Sequence, residues 1–311
     1  MKVEIIKRVV LDQIPSASGV EVIDGIIYII GDDSNTLFAL NHNLQIINKL
    51  ELFESDYAFH ERIPKKIKPD LECLTHLKIH GYDYVLINGS GSKDNRDDGY
   101  LVKLPTKFNK KFFPQKVDFK PLFNLLRADE EIVNDGKLNL EASAYNDRFF
   151  VFLNRANKKG NNAVLVFNTE EMQVFIAENP EMIPFPQVFT YQLPALEGVP
   201  CGFSGACIID DKLFFTASAE NTDDAVEDGS VAGSIIGWMQ LNPDGNRKGA
   251  ATKCLSEIKA TVTITENNAI FLGKMESMTI YEKDGDNKYI AIAVTDSDGG
   301  TSELLMLEIT L

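Results

Sequence analysis

One phrase recurs five times in this chain and limits what it can fold into: an oxygen-bearing side chain, a short apolar run, a tight polar turn, a strongly β-prone run and a loop rich in Gly, Ser and charge. The copies are Ser18-GVEVIDGIIYIIGDDS, Glu72-CLTHLKIHGYDYVLINGSGS, Glu141-ASAYNDRFFVFLNRANK, Ser204-GACIIDDKLFFTASAEN and Glu276-SMTIYEKDGDNKYIAIAVTDSDGG. Their leading residues are separated by 54, 69, 63 and 72 residues, with 53 more on wrapping from the last copy through the C-terminus to the first. A β-prone unit repeated around the whole length predicts an all-β fold, a five-bladed β-propeller of four-stranded antiparallel blades that takes residues 1–311 as a single domain.

Within each copy the run after the leading residue is the inner strand, and the run after the turn is the second, at 26–30, 84–87, 149–153, 213–216 and 289–294. Third strands are expected at 37–40, 100–104, 163–167, 234–241 and 304–309, and outer strands at 45–50, 116–119, 187–193 and 251–258. The fifth copy has no chain left for an outer strand. Residues 2–11 alternate like one, so the N-terminal strand is expected to pair with the C-terminal blade and close the ring without a long open edge. A hairpin at 261–273 and one helix at 121–131 complete the reading.

Composition removes several function classes. The net charge of −15 works against a nucleic-acid partner, because such affinity depends on Lys and Arg neutralising phosphates. The basic runs Lys65-Lys66-Ile67-Lys68, Lys110-Lys111 and Lys158-Lys159 read as solvated loops. No apolar segment approaches the ~20 residues that span a bilayer, so no membrane partner is expected. As written, the chain reads as a cytoplasmic monomer, or as secreted or periplasmic if a leader was removed. Cys73, Cys201, Cys207 and Cys254 lack metal-site spacing and read as buried, reduced side chains.

Antiparallel pairing puts the start of each inner strand and the end of each second strand at one end of the blade. The five leading residues therefore share a face with the loops 31–36, 88–96, 154–162, 217–230 and 295–302. Three carboxylates and two hydroxyls converging on one axis would repel or shift upward in pKa, and a hard divalent cation relieves both. Ca²⁺ fits an all-oxygen set of Ser18, Glu72, Glu141, Ser204 and Glu276, with Mg²⁺ as the other candidate. The alternative is that these side chains only bond inner-strand backbone and channel water.

The residues also carry a resemblance. Ser18, Leu71-Glu72, Leu140-Glu141-Ala142-Ser143, Gly202-Phe203-Ser204 and Lys274-Met275-Glu276 resemble, in order, the ligand phrases of the calcium-activated nucleotidases, or soluble apyrases. Those proteins are five-bladed propellers with a central calcium, and the resemblance implies the ligand role for the same five residues. Phytase-like propellers are a more distant likeness. Where that family has D-D-R-T-G, this chain has Asp32-Asp33-Ser34-Asn35, and the third-blade R-R-A-S becomes Asn154-Arg155-Ala156-Asn157.

Two functions follow from this face. In the first, a calcium-dependent phosphohydrolase acts on nucleotides or another small phosphorylated substrate. Asp32 or Asp33 would orient water, Arg155 would hold the developing charge, and Lys93, Arg96 (with Lys158 as a further candidate), the Ser90 loop and Glu220 would contact substrate. In the second, a calcium-binding propeller uses the channel mouth to bind a small anionic ligand or a protein. The loss of two Arg relative to the nucleotidase pattern favours the second.

Overall fold

The chain is described by a computed structural model except at residues 60, 106–111, 157–159, 179–181, 222–228, 243–252 and 298–299. Blade one is built from Ala17–Ile23, Ile26–Gly31, Thr36–Leu40 and Ile46–Glu51, and blade two from Leu71–Ile79, Tyr82–Gly89, Asp98–Lys103 and Phe113–Asp118. Blade three takes Leu140–Tyr145, Phe149–Asn154, Asn162–Asn168 and Gln187–Tyr191; blade four takes Val199–Ile209, Lys212–Asn221, Ser230–Leu241 and Leu255–Thr263. Blade five has Lys274–Asp284, Lys288–Ser297 and Thr301–Thr310, completed by the N-terminal strand Lys2–Val10. That strand runs antiparallel to the last one, from Lys2 opposite Thr310 to Val10 opposite Glu303, so the ring closes as the repeat predicts.

Both faces of every blade are covered, which explains second strands such as Ile26–Gly31 that are apolar at nearly every position. Alternation along a strand sends successive side chains to opposite neighbours. Phe149, Val151 and Leu153 pack toward blade four, while Phe150 and Phe152 pack toward blade two. The core therefore divides into five apolar layers, one at each blade-to-blade interface.

The layer between blades two and three contains helices as well as strands. The expected helix at 121–131 is Lys120–Arg127 followed by the short turn Glu130–Val133. A further helix, Thr169–Glu178, was not expected; Asn168 caps it, its side chain accepting from the amides of Glu170 and Glu171 at 2.9 and 3.2 Å. Phe119, Phe123, Phe152, Phe167 and Phe175 meet there, mostly edge to face. The outer strand of blade four begins at Leu255 and runs to Thr263, later than the expected 251–258, whose first two positions lie outside the described residues. The 261–273 hairpin reduces to two paired residues on each side, Thr265–Glu266 with Ala269–Ile270. No helix among the described residues is long and apolar enough to cross a membrane.

The inner strands share one irregularity. In all five, the ladder to the second strand skips one residue, and the residues skipped are Ser18, Glu72, Glu141, Ser204 and Glu276. A bulge sets two residues against one and re-aims the extra side chain. The next residue in each copy is small, namely Gly19, Cys73, Ala142, Gly205 and Ser277. Crowding at the axis explains this: a Cβ on Gly19 would lie 2.7 Å from Leu74 Cβ, and one on Gly205 2.8 Å from Ser277 Cα. Gly205→Ala should therefore lower the urea-unfolding free energy by about 1–3 kcal/mol, the usual cost of overpacking. Unchanged stability would mean that the strands near the axis can separate at no cost.

Candidate functional site

The bulges bring the five leading residues together at one end of the channel, where the loops add more charge. Asp32, Asp33, Asp70, Glu72, Glu141, Glu220, Glu276 and Asp296 lie there with Arg62, Lys68, Arg96, Arg155 and Lys274. Among the described residues, eight carboxyl groups there face five cations, an excess of three acidic groups.

The ion pairs form two groups. On one side Lys68 binds Asp32 and lies 3.0 Å from Asp70, whose other oxygen accepts from Arg96 at 2.6 Å and from Ser90. On the other side Arg155 reaches Glu220 at 2.9 Å and Glu141 at 3.5 Å, while Lys274 reaches Glu276 at 2.9 Å and Glu220 at 3.3 Å. Asn139 also donates to Glu141, and Arg62 donates to Asp33 at 2.5 Å.

Several oxygens remain without a partner. Asp32 Oδ1, Asp33 Oδ1, Glu276 Oε2 and Asp296 Oδ1 are buried and accept no hydrogen bond among the described residues. Glu72 makes neither an ion pair nor a hydrogen bond among the described residues, and one of its oxygens lies within 4.8 Å of oxygens of Asp32 and Asp70. At an effective dielectric of ~20, unit charges at that spacing repel by roughly 3 kcal/mol per pair.

This electrostatic load raises several pKa values. Burial first, then Glu141, Asp70 and Asp32, hold the Glu72 carboxyl well above its usual range. Burial, opposed by Arg155 and assisted by Glu276, pushes Glu141 to about 7, and burial opposed by Lys68 pushes Asp32 to about 6. Asp296, buried near Asp32 and Glu276, rises to about 8. For Asp70 and Glu220 burial acts upward, but their cations outweigh it and both are lowered.

The donor set suits a hard cation, since the orphaned atoms are carboxylate oxygens. The arrangement differs from a symmetric five-ligand cage. Among the described residues Glu72, Glu141 and Glu276 do not form a close group, because Arg155 and Asn139 draw Glu141 aside and Lys274 draws Glu276. The close group is Asp32, Asp70 and Glu72. Ser18 and Ser204 each donate to a carbonyl of the following blade, Leu71 at 2.5 Å and Met275 at 2.6 Å. Those hydroxyls fasten adjacent blades, and Ser204, its proton given to Met275, accepts from the Thr216 hydroxyl at 3.0 Å.

Other residues singled out by sequence are placed differently from one another. Arg96 is fully buried against Asp70 and Ser92, and Arg155 is held by Glu141 and Glu220. Lys93 is half-buried, with extended backbone, ahead of the short helical turn Asp94–Arg96. Lys158 and the pairs at 110–111 and 158–159 lie outside the described residues, as do 222–228 of the fourth loop. Lys68 corrects the solvated-loop expectation: its side chain is 13% exposed and turned inward, because two carboxylates face it. Asp70, Lys68, Lys274, Asp296 and Arg62 were missed. Asp70 and Lys274 had a signal, since both stand two residues before a leading glutamate.

These shifts set a pH dependence. A carboxyl raised in the folded state contributes stability that is complete below its unfolded pKa, near 4, and is lost as pH rises through its folded value. For Asp32, Glu141 and Asp296 that window runs from about 4 to about 8. Asp70 and Glu220 act the other way, but only in acid below it. In EDTA the unfolding free energy should fall between pH 5 and pH 8, by on the order of a few kcal/mol, and Glu141→Gln should remove part of the slope. A rise over that interval in urea titrations would contradict the assignment.

Several solved structures are similar to the chain. The chain resembles the tail fiber of Staphylococcus aureus phage P68 (8% identity, TM-score 0.48), covering all of this chain and 53% of that one, so it spans about half the fiber chain's length. It also resembles virginiamycin B lyase from S. aureus (12%, TM-score 0.42, 100% of both chains) and the α-L-arabinanase of Cellvibrio cellulosa (11%, TM-score 0.46, 97% and 92%). At these identities and scores the likenesses carry no inference about chemistry. No curated protein matches the chain in sequence. Residues 13–309 match the profile described as "Family of unknown function (DUF6929)", and with nearly the whole length covered the chain belongs to that family.

Proposed function

We propose that this chain is a divalent-cation-binding propeller whose charged mouth serves recognition of a small anionic ligand. One observation carries the reading: among the described residues, carboxyl groups outnumber cations at the mouth by three, with buried oxygens of Asp32 and Glu276 unpartnered and Glu72 unbonded. An all-oxygen donor set without His or Cys favours calcium over zinc, with magnesium as the competitor. Asp32, Asp70 and Glu72 would hold the ion, with Glu141 and Glu276 turning inward once it supplies the positive charge they now take from Arg155 and Lys274. Such an ion would present an electropositive point to an incoming carboxylate or phosphate, which the uncompensated mouth would otherwise repel.

The phosphohydrolase reading has less support. It needs cations free to meet a developing phosphoryl charge. Arg155 and Arg96 are buried and already bonded to carboxylates, leaving Lys93 as the uncommitted cation among the described residues of that proposed set.

Calorimetric titration of chelator-treated protein should show one saturable Ca²⁺ site. A ligand present at 100 times its dissociation constant should stabilise the fold by about 2.7 kcal/mol. Glu72→Gln should weaken the affinity at least tenfold while leaving the chelated protein's melting temperature unchanged or higher, because an unpaired charge is removed. If calcium and magnesium produce neither heat nor a melting shift, the cation reading fails.

Phosphate release from nucleoside di- and triphosphates, sugar phosphates and phytate, measured with calcium and with EDTA, separates the two functions. Rates should stay near background. Turnover above about 1 s⁻¹, within the ordinary enzyme range, that Arg155→Ala abolishes would establish the phosphohydrolase instead.

A further inference from the structure

Beside the mouth, between blades four and five, lies a cavity of about 590 Å³, within the size range of small-molecule sites. Its two walls differ in chemistry. The blade-four side presents Val231, Ile270, Phe271 and Leu272, and the blade-five side presents Asp296 among Thr295, Ser297 and Thr301. Leu272, 65% exposed, lies at the rim of that apolar wall.

The cavity's charge is decided by which groups are already engaged. Arg8 is held by Glu303 at 2.9 Å and Glu266 at 3.0 Å and lies over the Phe271 ring, 5.2 Å from its centre. Lys274 is engaged by Glu276 and Glu220, and Arg62 by Asp33. Asp296 has no hydrogen-bond or ion-pair partner among the described residues, and its Oδ1 is buried. Among the described residues lining the cavity, the ionisable side chain left without a hydrogen-bond or ion-pair partner is therefore the Asp296 carboxyl, and it faces the same space as an apolar wall.

We infer that this cavity is a binding site for a small organic ammonium ion with an apolar body, its head on Asp296 and its body against Ile270 and Leu272. An ammonium supplies donors to an acceptor that has none, and a charge-assisted bond of this kind is stronger than a neutral one. A carboxylate or phosphate ligand brings no donor to that oxygen. The site is distinct from the axial cation site, which rests on Glu72, Asp32 and Asp70.

The test uses 2-phenylethylammonium as the probe, with 2-phenylethanol and phenylacetate as matched controls, followed by calorimetry and melting temperature on the full chain in EDTA. The amine should bind saturably and raise the melting temperature, and phenylacetate should do neither. Asp296→Asn should weaken amine binding at least tenfold, and 2-phenylethanol should bind the unaltered protein at least tenfold more weakly than the amine. Leu272→Gln, at an exposed position where folding is not at risk, should weaken it several-fold even if Asp296→Asn proves unstable. Glu72→Gln should lose the calcium response and keep the amine response, so failure of one site leaves the other readable. No amine binding, equal binding of phenylacetate, or unaltered binding by Asp296→Asn or Leu272→Gln would overturn the inference. An amine response lost in Glu72→Gln would likewise overturn it, by placing the amine on the axis.

Discussion

Everything at the mouth depends on how little room there is where five inner strands converge. A strand that approaches its neighbour this closely can carry a side chain of normal size only by leaving the ladder, and each inner strand does so at its leading residue. The bulge exposes backbone carbonyls just before it, and the adjoining blade uses them: Ser18 bonds the Leu71 carbonyl and Ser204 bonds that of Met275. The residue just after the bulge must be small. Packing, blade-to-blade hydrogen bonding and the direction of the five polar side chains are thus one geometric solution repeated around the ring.

That solution concentrates negative charge in a space that water reaches poorly. Burial of a charge is costly unless it is paired. The chain partly meets the cost with its own cations, inserting Lys68, Arg155 and Lys274 between carboxylates. The pairs are unequal, however, and leave Glu72 and Asp296 without partners among the described residues. The same residues that neutralise part of the charge also spread the three glutamates apart and remove Arg96 and Arg155 from the surface. Charge compensation from within therefore commits these two Arg side chains to carboxylates, which is why the reading proposed above is recognition and not phosphate transfer.

The architecture was readable from the repeat because propeller blades are local: each four-stranded sheet forms from neighbouring segments, and alternation, turn residues and copy number all survive in linear order. The helix Thr169–Glu178 had its sign in the Asn168 cap, although its apolar residues, Val174 and Phe175 among them, resemble a strand as much as a helix. The five leading residues were identifiable because their column repeats. Asp70 and Lys274 occupy a second column two residues earlier, in which Ser16, Asn139 and Gly202 differ too much in chemistry to declare a common role.

By itself the sequence determined the all-β class, the five blades, the closure by the N-terminal strand and the identity of the residues that meet the axis. Periodicity and chain order carry all of these. Tertiary structure decided which charges touch. Lys68 lies in a run that reads as solvated, yet it sits between Asp32 and Asp70; Arg96 reads as a surface cation, yet it is buried against Asp70. Coulomb energies depend on distance in space and on burial, and residues about 65 apart in the chain, such as Arg155 and Glu220, become neighbours only after the ring has closed.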